Sequence, residues 1–257
     1  MAAIAKGLGY FVAHARRFRI AAMGRSHRDE TPRGQQMIRH IKHVLSDDEV
    51  AHLVEVARHV KFVDGRATNP DTTIKNNMQV PHNDPAANEP GMLLREALFR
   101  NAEVRAWAHA KQMARPTMVR YEPGMNYGWH VDEALFPSNP PMRSDLSCTV
   151  WLTPPDSYDG GELTIELGQQ QLSFKGNAGD AILYPSTTIH QVAPVTRGVR
   201  LVGITWIQSW IAETPKRELL LQIDELRNLE HAARKDPRAL VLLESLRTNL
   251  FRMWADT

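Results

Sequence analysis

The sequence predicts an α+β fold with a mainly β core, a double-sheet jelly roll with helices before and after it. Three observations predict it. About eight short strand-like segments separated by turn residues lie between Thr117 and Trp210, two helical stretches precede them, and helical periodicity returns beyond Thr214.

Taken in order, Met1 to about Gln36 forms a basic extension. Lys6, Arg16, Arg17, Arg19, Arg25 and Arg28 occur there with no acidic residue as far as Arg28, interspersed with Ala, Leu, Ile and Phe. Such a composition fits an amphipathic targeting helix and equally a disordered tail. Arg16, Arg17 and Arg19 interrupt its only apolar run, so no membrane span is expected. Met37 directly precedes organised sequence and is an alternative expected start of translation.

Residues 37–212 are expected to form the main domain. Ile38 to Val44 reads as a strand. Ser46 and Glu49 read as a capping box opening a helix through Leu53, Val54 and Ala57. Val63 to Ala67 breaks it, and Thr72 to Val80 reads as a strand. A second helix is expected from about Met92 to Gln112, on the spacing of Leu93, Leu94, Ala97, Leu98, Val104 and Trp107.

The strand region is predicted as Thr117 to Glu122, Tyr127 to Asp132, Leu146 to Thr153, Glu162 to Leu167, Gln170 to Phe174, Ala181 to Tyr184, Ile189 to Val195 and Val199 to Trp210. Pro123-Gly124, a proline-rich Phe136 to Met142 loop, Asp159-Gly160-Gly161, Gly168, Gly179-Asp180 and Arg197-Gly198 supply the turns. Ser147, Thr149 and Trp151 alternate with apolar neighbours, which fits one pocket-lining face. Residues 213–257 form a helical extension. Leu219, Leu220, Ile223 and Leu226 mark one face, and Leu240, Leu243, Leu246, Leu250 and Trp254 another, separated at Asp236-Pro237.

Composition narrows the function. The chain has 257 residues, 31 basic and 29 acidic, with a net charge of +2. That balance is too near neutrality to imply nucleic acid as a partner. The single Cys148 excludes an intramolecular disulfide and the Cys-rich metal sites, and suggests a reducing compartment such as the cytoplasm. Eleven His residues make imidazole the metal ligand to look for.

His130 and Asp132 form an H-x-D pair on a predicted strand, where alternation turns both side chains to one face. His190 can supply a third ligand, and two imidazoles with one carboxylate is the set that non-haem Fe(II) oxygenases use. Arg200, ten residues later, has a planar guanidinium suited to a carboxylate. Each has a plainer reading: H-x-D arises by chance, Arg200 fits a surface strand cation, and Tyr121 fits a core aromatic. Lys75, Asn76 and Asn77 fit either a solvated edge strand or a pocket wall.

The chain resembles the Fe(II)- and 2-oxoglutarate-dependent oxygenases, and within them the bacterial PKHD-type hydroxylases, named for similarity to prolyl and lysyl hydroxylases. The resemblance rests on Leu45–Val50, Val63–Thr68, Ile74–Val80, Arg120-Tyr121, Tyr127–Asp132, Arg143–Ser147, Ser157–Leu163, Leu183–Ser186, Pro194–Arg200 and Trp206–Ser209. It implies a double-stranded β-helix, iron at His130, Asp132 and His190, and 2-oxoglutarate held by Arg200 with Tyr121 as a second contact. O2 is the remaining reactant, and L-ascorbate an optional accessory. It further implies hydroxylation of a small molecule, siderophore-related and linked to iron uptake, with Lys75, Asn77, Gln79 and Trp206 as candidate substrate contacts. Protein prolyl or lysyl hydroxylation is the alternative within the class. A non-catalytic cupin-like metal- or ligand-binding module is the alternative outside it, and a metal hydrolase is disfavoured by the lack of a separate general base. The C-terminal helices are expected to support a homodimer.

Overall fold

Ser46 opens the first helix as the sequence predicts. In the computed structural model, which describes residues 37–257 apart from 69, 82, 234 and 235, β1 (Arg39–Ile41) precedes α1 (Asp47–His59). The Ser46 hydroxyl accepts from Glu49 N–H at 3.3 Å and the Glu49 carboxylate accepts from Ser46 N–H at 2.9 Å, a complete capping box. The expectations placed on the segment before Met37, targeting, disorder and the start of translation, lie outside the described residues.

Two expected elements prove divided. The strand expected over Thr72 to Val80 is two short ones, β3 (Lys75–Asn76) and β4 (Met78–Gln79), preceded by β2 (Val63–Asp64) and a 3-10 turn at Gly65–Thr68. The helix expected over Met92 to Gln112 is α2 (Asn88–Arg100) and α3 (Ala102–Ala108), followed by β5 (Ala110–Met113). Asn101 causes the break: its backbone is extended (ψ 125°), and its side chain accepts from Glu103 N–H and Val104 N–H at 2.9 and 3.1 Å. It thus ends one helix and caps the next. His109, left-handed at φ 43°, turns the chain into β5.

The β region continues with β6 (Thr117–Tyr121), β7 (Asn126–His130), β8 (Leu135–Phe136), β9 (Met142–Arg143), β10 (Leu146–Trp151), β11 (Asp159–Gly160), β12 (Leu163–Leu167), β13 (Gln170–Phe174), β14 (Ala181–Pro185), β15 (His190–Val192), β16 (Val195–Arg197) and β17 (Arg200–Ser209). The expected Phe136 to Met142 loop is therefore the tip of a hairpin, β8 paired with β9. The expected Ile189 to Val195 strand divides too, because β15 joins β12 and β7 while β16 pairs with β11.

Two sheets face each other in a jelly roll. The larger runs β1-β14-β10-β17-β6-β4-β2, with β5 also on β17; the smaller runs β13-β12-β15-β7-β3. Asn77 is where the chain crosses from the smaller sheet at β3 to the larger at β4. Strand alternation then sorts the core. On β10, β14 and β17 the residues Leu146, Cys148, Val150, Ala181, Leu183, Leu201 and Ile207 pack with the helical residues Leu53, Leu94, Leu98 and Trp107. Trp151, Ile182, Tyr184 and Val202 face the other way and pack with Leu163, Ile165 and Val192 of the smaller sheet.

Two helices follow, α4 (Thr214–Ala233) and α5 (Pro237–Trp254). Arg217, 2% exposed, donates to the carbonyls of Ile211 and Ala212 at 2.7 and 2.8 Å and to the Thr214 hydroxyl at 2.8 Å, fixing the first turn of α4. Asp236 accepts from Arg238 N–H at 2.8 Å and Pro237 occupies the first helical position, so the separator read from the sequence is a cap. Arg247 reaches Asp224 at 2.7 Å and Arg227 reaches Glu244 at 2.6 Å between the two helices. Among the described residues no helix is long and apolar enough to cross a membrane.

Candidate active site

His130 and His190 stand directly opposite each other on β7 and β15, with ring centroids 4.2 Å apart. Asp132 joins them, although β7 ends at His130, so alternation along a strand does not place the carboxylate. A donor from β10 does: the Ser147 hydroxyl donates to Asp132 Oδ2 and shares a 2.8 Å hydrogen bond with Ser186. His130 Nε2 lies 3.9 Å from Asp132 Oδ1, and His190 Nε2 lies 3.7 Å from Asp132 Oδ2. One ligand atom from each of the three falls within 4.8 Å of the others.

The imidazoles are oriented by the backbone. His130 Nδ1 donates to Gly128 O at 2.7 Å and His190 Nδ1 donates to Thr188 O at 3.0 Å. With both Nδ1 atoms engaged, the protons sit there and both Nε2 lone pairs are left for an ion. Burial, reinforced by the neighbouring His190, depresses the His130 pKa to about 4, keeping this ring neutral near pH 7. Tyr127 stacks on it, with centroids 3.6 Å apart and planes 12° apart. Two imidazoles with their Nε2 atoms free and a carboxylate fit a divalent transition metal, so the residues present suit iron.

Arg200 and Tyr121 are likewise direct cross-strand partners, on β17 and β6. Arg200 is 1% exposed, and its guanidinium carbon lies 5.0 Å from the Tyr121 ring centroid. Gly161, at φ 68°, leaves room for its stem: a Cβ there would lie 3.0 Å from Arg200 Cδ. Arg200 Nε is buried without a hydrogen-bond partner among the described residues, as is Asn77 Oδ1. A buried guanidinium with an unused N–H can receive an anion, and its chemistry fits a dicarboxylate co-substrate. Burial raises the Tyr121 pKa, so its hydroxyl stays protonated; it accepts from Asn77 Nδ2 at 2.9 Å and keeps its own O–H to donate.

One cavity of about 570 Å³ gathers all nine candidate residues: Lys75, Asn77, Gln79, Tyr121, His130, Asp132, His190, Arg200 and Trp206. Strand parity brings most of them together, since Arg200, Ile204 and Trp206 share the inward face of β17 and Thr117, Val119 and Tyr121 that of β6. Ser147 and Thr149 line it as expected, whereas Trp151 lies in the core between the sheets. Sequence reasoning assigned no role to Tyr127 or to Ser186 as the companion of Ser147, and Phe136, read from the sequence as the start of a loop, packs its ring on Trp206 with centroids 4.7 Å apart. Tyr127 had a signal, since it sits three residues before His130 in the same motif.

This fold and site define a non-haem iron oxygenase that uses 2-oxoglutarate: the family model described as the 2OG-Fe(II) oxygenase superfamily matches residues 116–208. A PKHD-type hydroxylase of Sphingopyxis alaskensis is 40% identical over 212 residues, covering 82% of this chain and 96% of that relative. Another, of Colwellia psychrerythraea, is 37% identical over 225 residues, covering 86% and 100%. The chain belongs to the PKHD-type hydroxylases. Its fold is also similar to that of a solved prolyl hydroxylase from Trichoplax adhaerens, in complex with a hypoxia inducible factor peptide fragment. That likeness has a TM-score of 0.53 at 14% identity, covering 72% of this chain and 87% of that one. Family membership displaces the cupin-like and hydrolase alternatives.

Proposed function

We propose that His130, Asp132 and His190 hold Fe(II), that Arg200 anchors the distal carboxylate of 2-oxoglutarate beside Tyr121, and that the enzyme hydroxylates a small molecule admitted to the same cavity. The observation that carries this reading is the paired orientation of the two imidazoles, each with Nδ1 on a backbone carbonyl and Nε2 turned to Asp132. Bound together, iron and 2-oxoglutarate would supply the oxidation with O2 as the oxidant: one oxygen atom would enter the succinate formed as CO2 is lost, and the other would enter a substrate C–H as hydroxyl.

The chain's own residues do the positioning. Ser147 holds the Asp132 carboxylate, Gly128 and Thr188 hold the imidazoles, and the buried Arg200 sets the co-substrate by charge and shape. Lys75, Asn77, Gln79 and Trp206 form the substrate wall in this reading, and the cavity volume of about 570 Å³ suits a small molecule. The same reading takes a siderophore-related substrate, L-ascorbate as an accessory, a cytoplasmic setting supported by the free Cys148 thiol, and a homodimer. Exposed Leu226, Leu229, Val241, Leu242 and Leu246 on α4 and α5 support association.

Anaerobic addition of Fe(II) and 2-oxoglutarate should produce a visible metal-to-ligand charge-transfer band. Iron bound at one equivalent with no band would overturn the site assignment.

A further inference from the structure

The cavity holds a second cation. Lys75 lies on β3 at the edge of the smaller sheet, opposite Tyr127. Its ammonium donates to the Thr68 hydroxyl at 2.9 Å and to Gln79 Oε1 at 3.3 Å, and lies 5.6 Å from the Tyr127 ring centroid. These hydrogen-bond partners, the ones found among the described residues, are all neutral, while Asp132 and Asp64 act on Lys75 only through space. Asp64 is already engaged by Arg66 at 2.9 Å, and Asp132 by Ser147. Glu133, the other acid lining the cavity, is exposed.

A partly buried ammonium without a counter-charge is unfavourable, and burial already pulls the Lys75 pKa down. On the reading proposed above, on which this step rests, Fe(II), Asp132, dianionic 2-oxoglutarate and Arg200 balance one another. Lys75 is left over. It has three N–H donors, two of them turned to Thr68 and Gln79, so one remains for an incoming acceptor. Its place is close to the chemistry, because Tyr127, beneath the ammonium, stacks directly on His130. The paired rings of Phe136 and Trp206 give the same cavity an apolar wall.

We propose that the substrate to be oxidised carries a carboxylate that pairs with Lys75 while its apolar part rests against Phe136 and Trp206, which makes Lys75 a specificity-determining residue. A monoanion matches one ammonium with one spare donor. A dianionic phosphate would overshoot the charge.

The test uses the full chain with Fe(II) and saturating 2-oxoglutarate under anaerobic conditions, titrated calorimetrically with phenylacetate and with its neutral counterpart phenylacetamide. Phenylacetate should bind at least tenfold more tightly than the amide. Lys75→Gln should abolish that preference and Lys75→Arg should keep it, with the charge-transfer band and 2-oxoglutarate affinity unchanged in both. Equal binding of the two probes by the native enzyme would overturn the proposal. A tenfold loss of 2-oxoglutarate affinity in Lys75→Gln would overturn it as well, by giving Lys75 to the co-substrate. Absence of the band in the native enzyme with iron bound is a different failure, that of the underlying site assignment.

Discussion

The Ser147 hydroxyl donates to the Asp132 carboxylate across fifteen residues of chain, and so fixes a group that β7 itself has already released. Losing that donor should leave the carboxylate free to rotate. Ser147→Ala is expected to lower Fe(II) affinity by roughly tenfold, the lower end for an outer-sphere hydrogen bond to a ligand, with an unchanged thermal melt of the metal-free protein. Metal titration checks it, and undiminished affinity would remove Ser147 from the site.

Arg200→Gln keeps a polar side chain in the cavity and removes the charge. The expected loss in 2-oxoglutarate affinity is about 3 kcal/mol, roughly a hundredfold, with iron affinity nearly intact. Should iron and co-substrate affinity fall together, Arg200 is holding the fold rather than the co-substrate.

Gly65 packs against the crossing point between the sheets. Its N–H donates to Asn77 O at 2.8 Å, and a Cβ added to it would lie 1.8 Å from Asn77 Oδ1 and 3.0 Å from Lys75 Cε. Gly65→Ala must push Asn77 off the Tyr121 hydroxyl, so a stability loss of about 1–3 kcal/mol is expected, with weaker 2-oxoglutarate binding. Urea unfolding and co-substrate titration read the two effects. A variant normal in both would show that Asn77 does not position Tyr121.

His109 makes the fold sensitive to acid away from the cavity. It is 8% exposed, sits edge-on to Phe251 of α5 with centroids 5.5 Å apart, and its pKa is pushed down to about 4, first by burial and then by nearby Arg247. The unfolded chain protonates this ring near pH 6.5 and the folded chain only near pH 4, so between those values the unfolded state binds more protons. The stability contribution is full above pH 6.5 and is lost as pH falls toward 4, by about 3 kcal/mol in all. His109→Asn, which tolerates the left-handed backbone, should flatten urea stability between pH 7 and pH 5. An equal slope in the variant would assign that acid sensitivity elsewhere.

The jelly roll was legible in the sequence because a strand facing a core on each side still alternates, and turn residues punctuate it at short intervals. His130, Asp132, His190 and Arg200 stood out in the sequence because few residue types can ligate a metal or pair with a carboxylate, and the structure brings all four to one cavity. Asn101 was not, since the apolar spacing of α2 runs on through α3 and only the side-chain cap divides them. The crossing at Asn77 hid within what reads as one strand, because pairing partners are distant in sequence. Proline around residues 137–141 masked the β8–β9 hairpin that places Phe136, and with it one wall of the cavity. Strand alternation was an incomplete reason to set Asp132 beside His130, since the hydroxyl that holds its carboxylate comes from another strand.

The facing of His130 and His190 across β7 and β15 has a mechanical side. These strands meet at an irregularity in their register between His190 and Val192, where backbone pairing is least regular. An ion gripped by both rings would act as a rivet through that seam, so that loading the metal stiffens the smaller sheet, and the wall that carries Lys75 and Tyr127 is braced by the same ion that awaits the substrate.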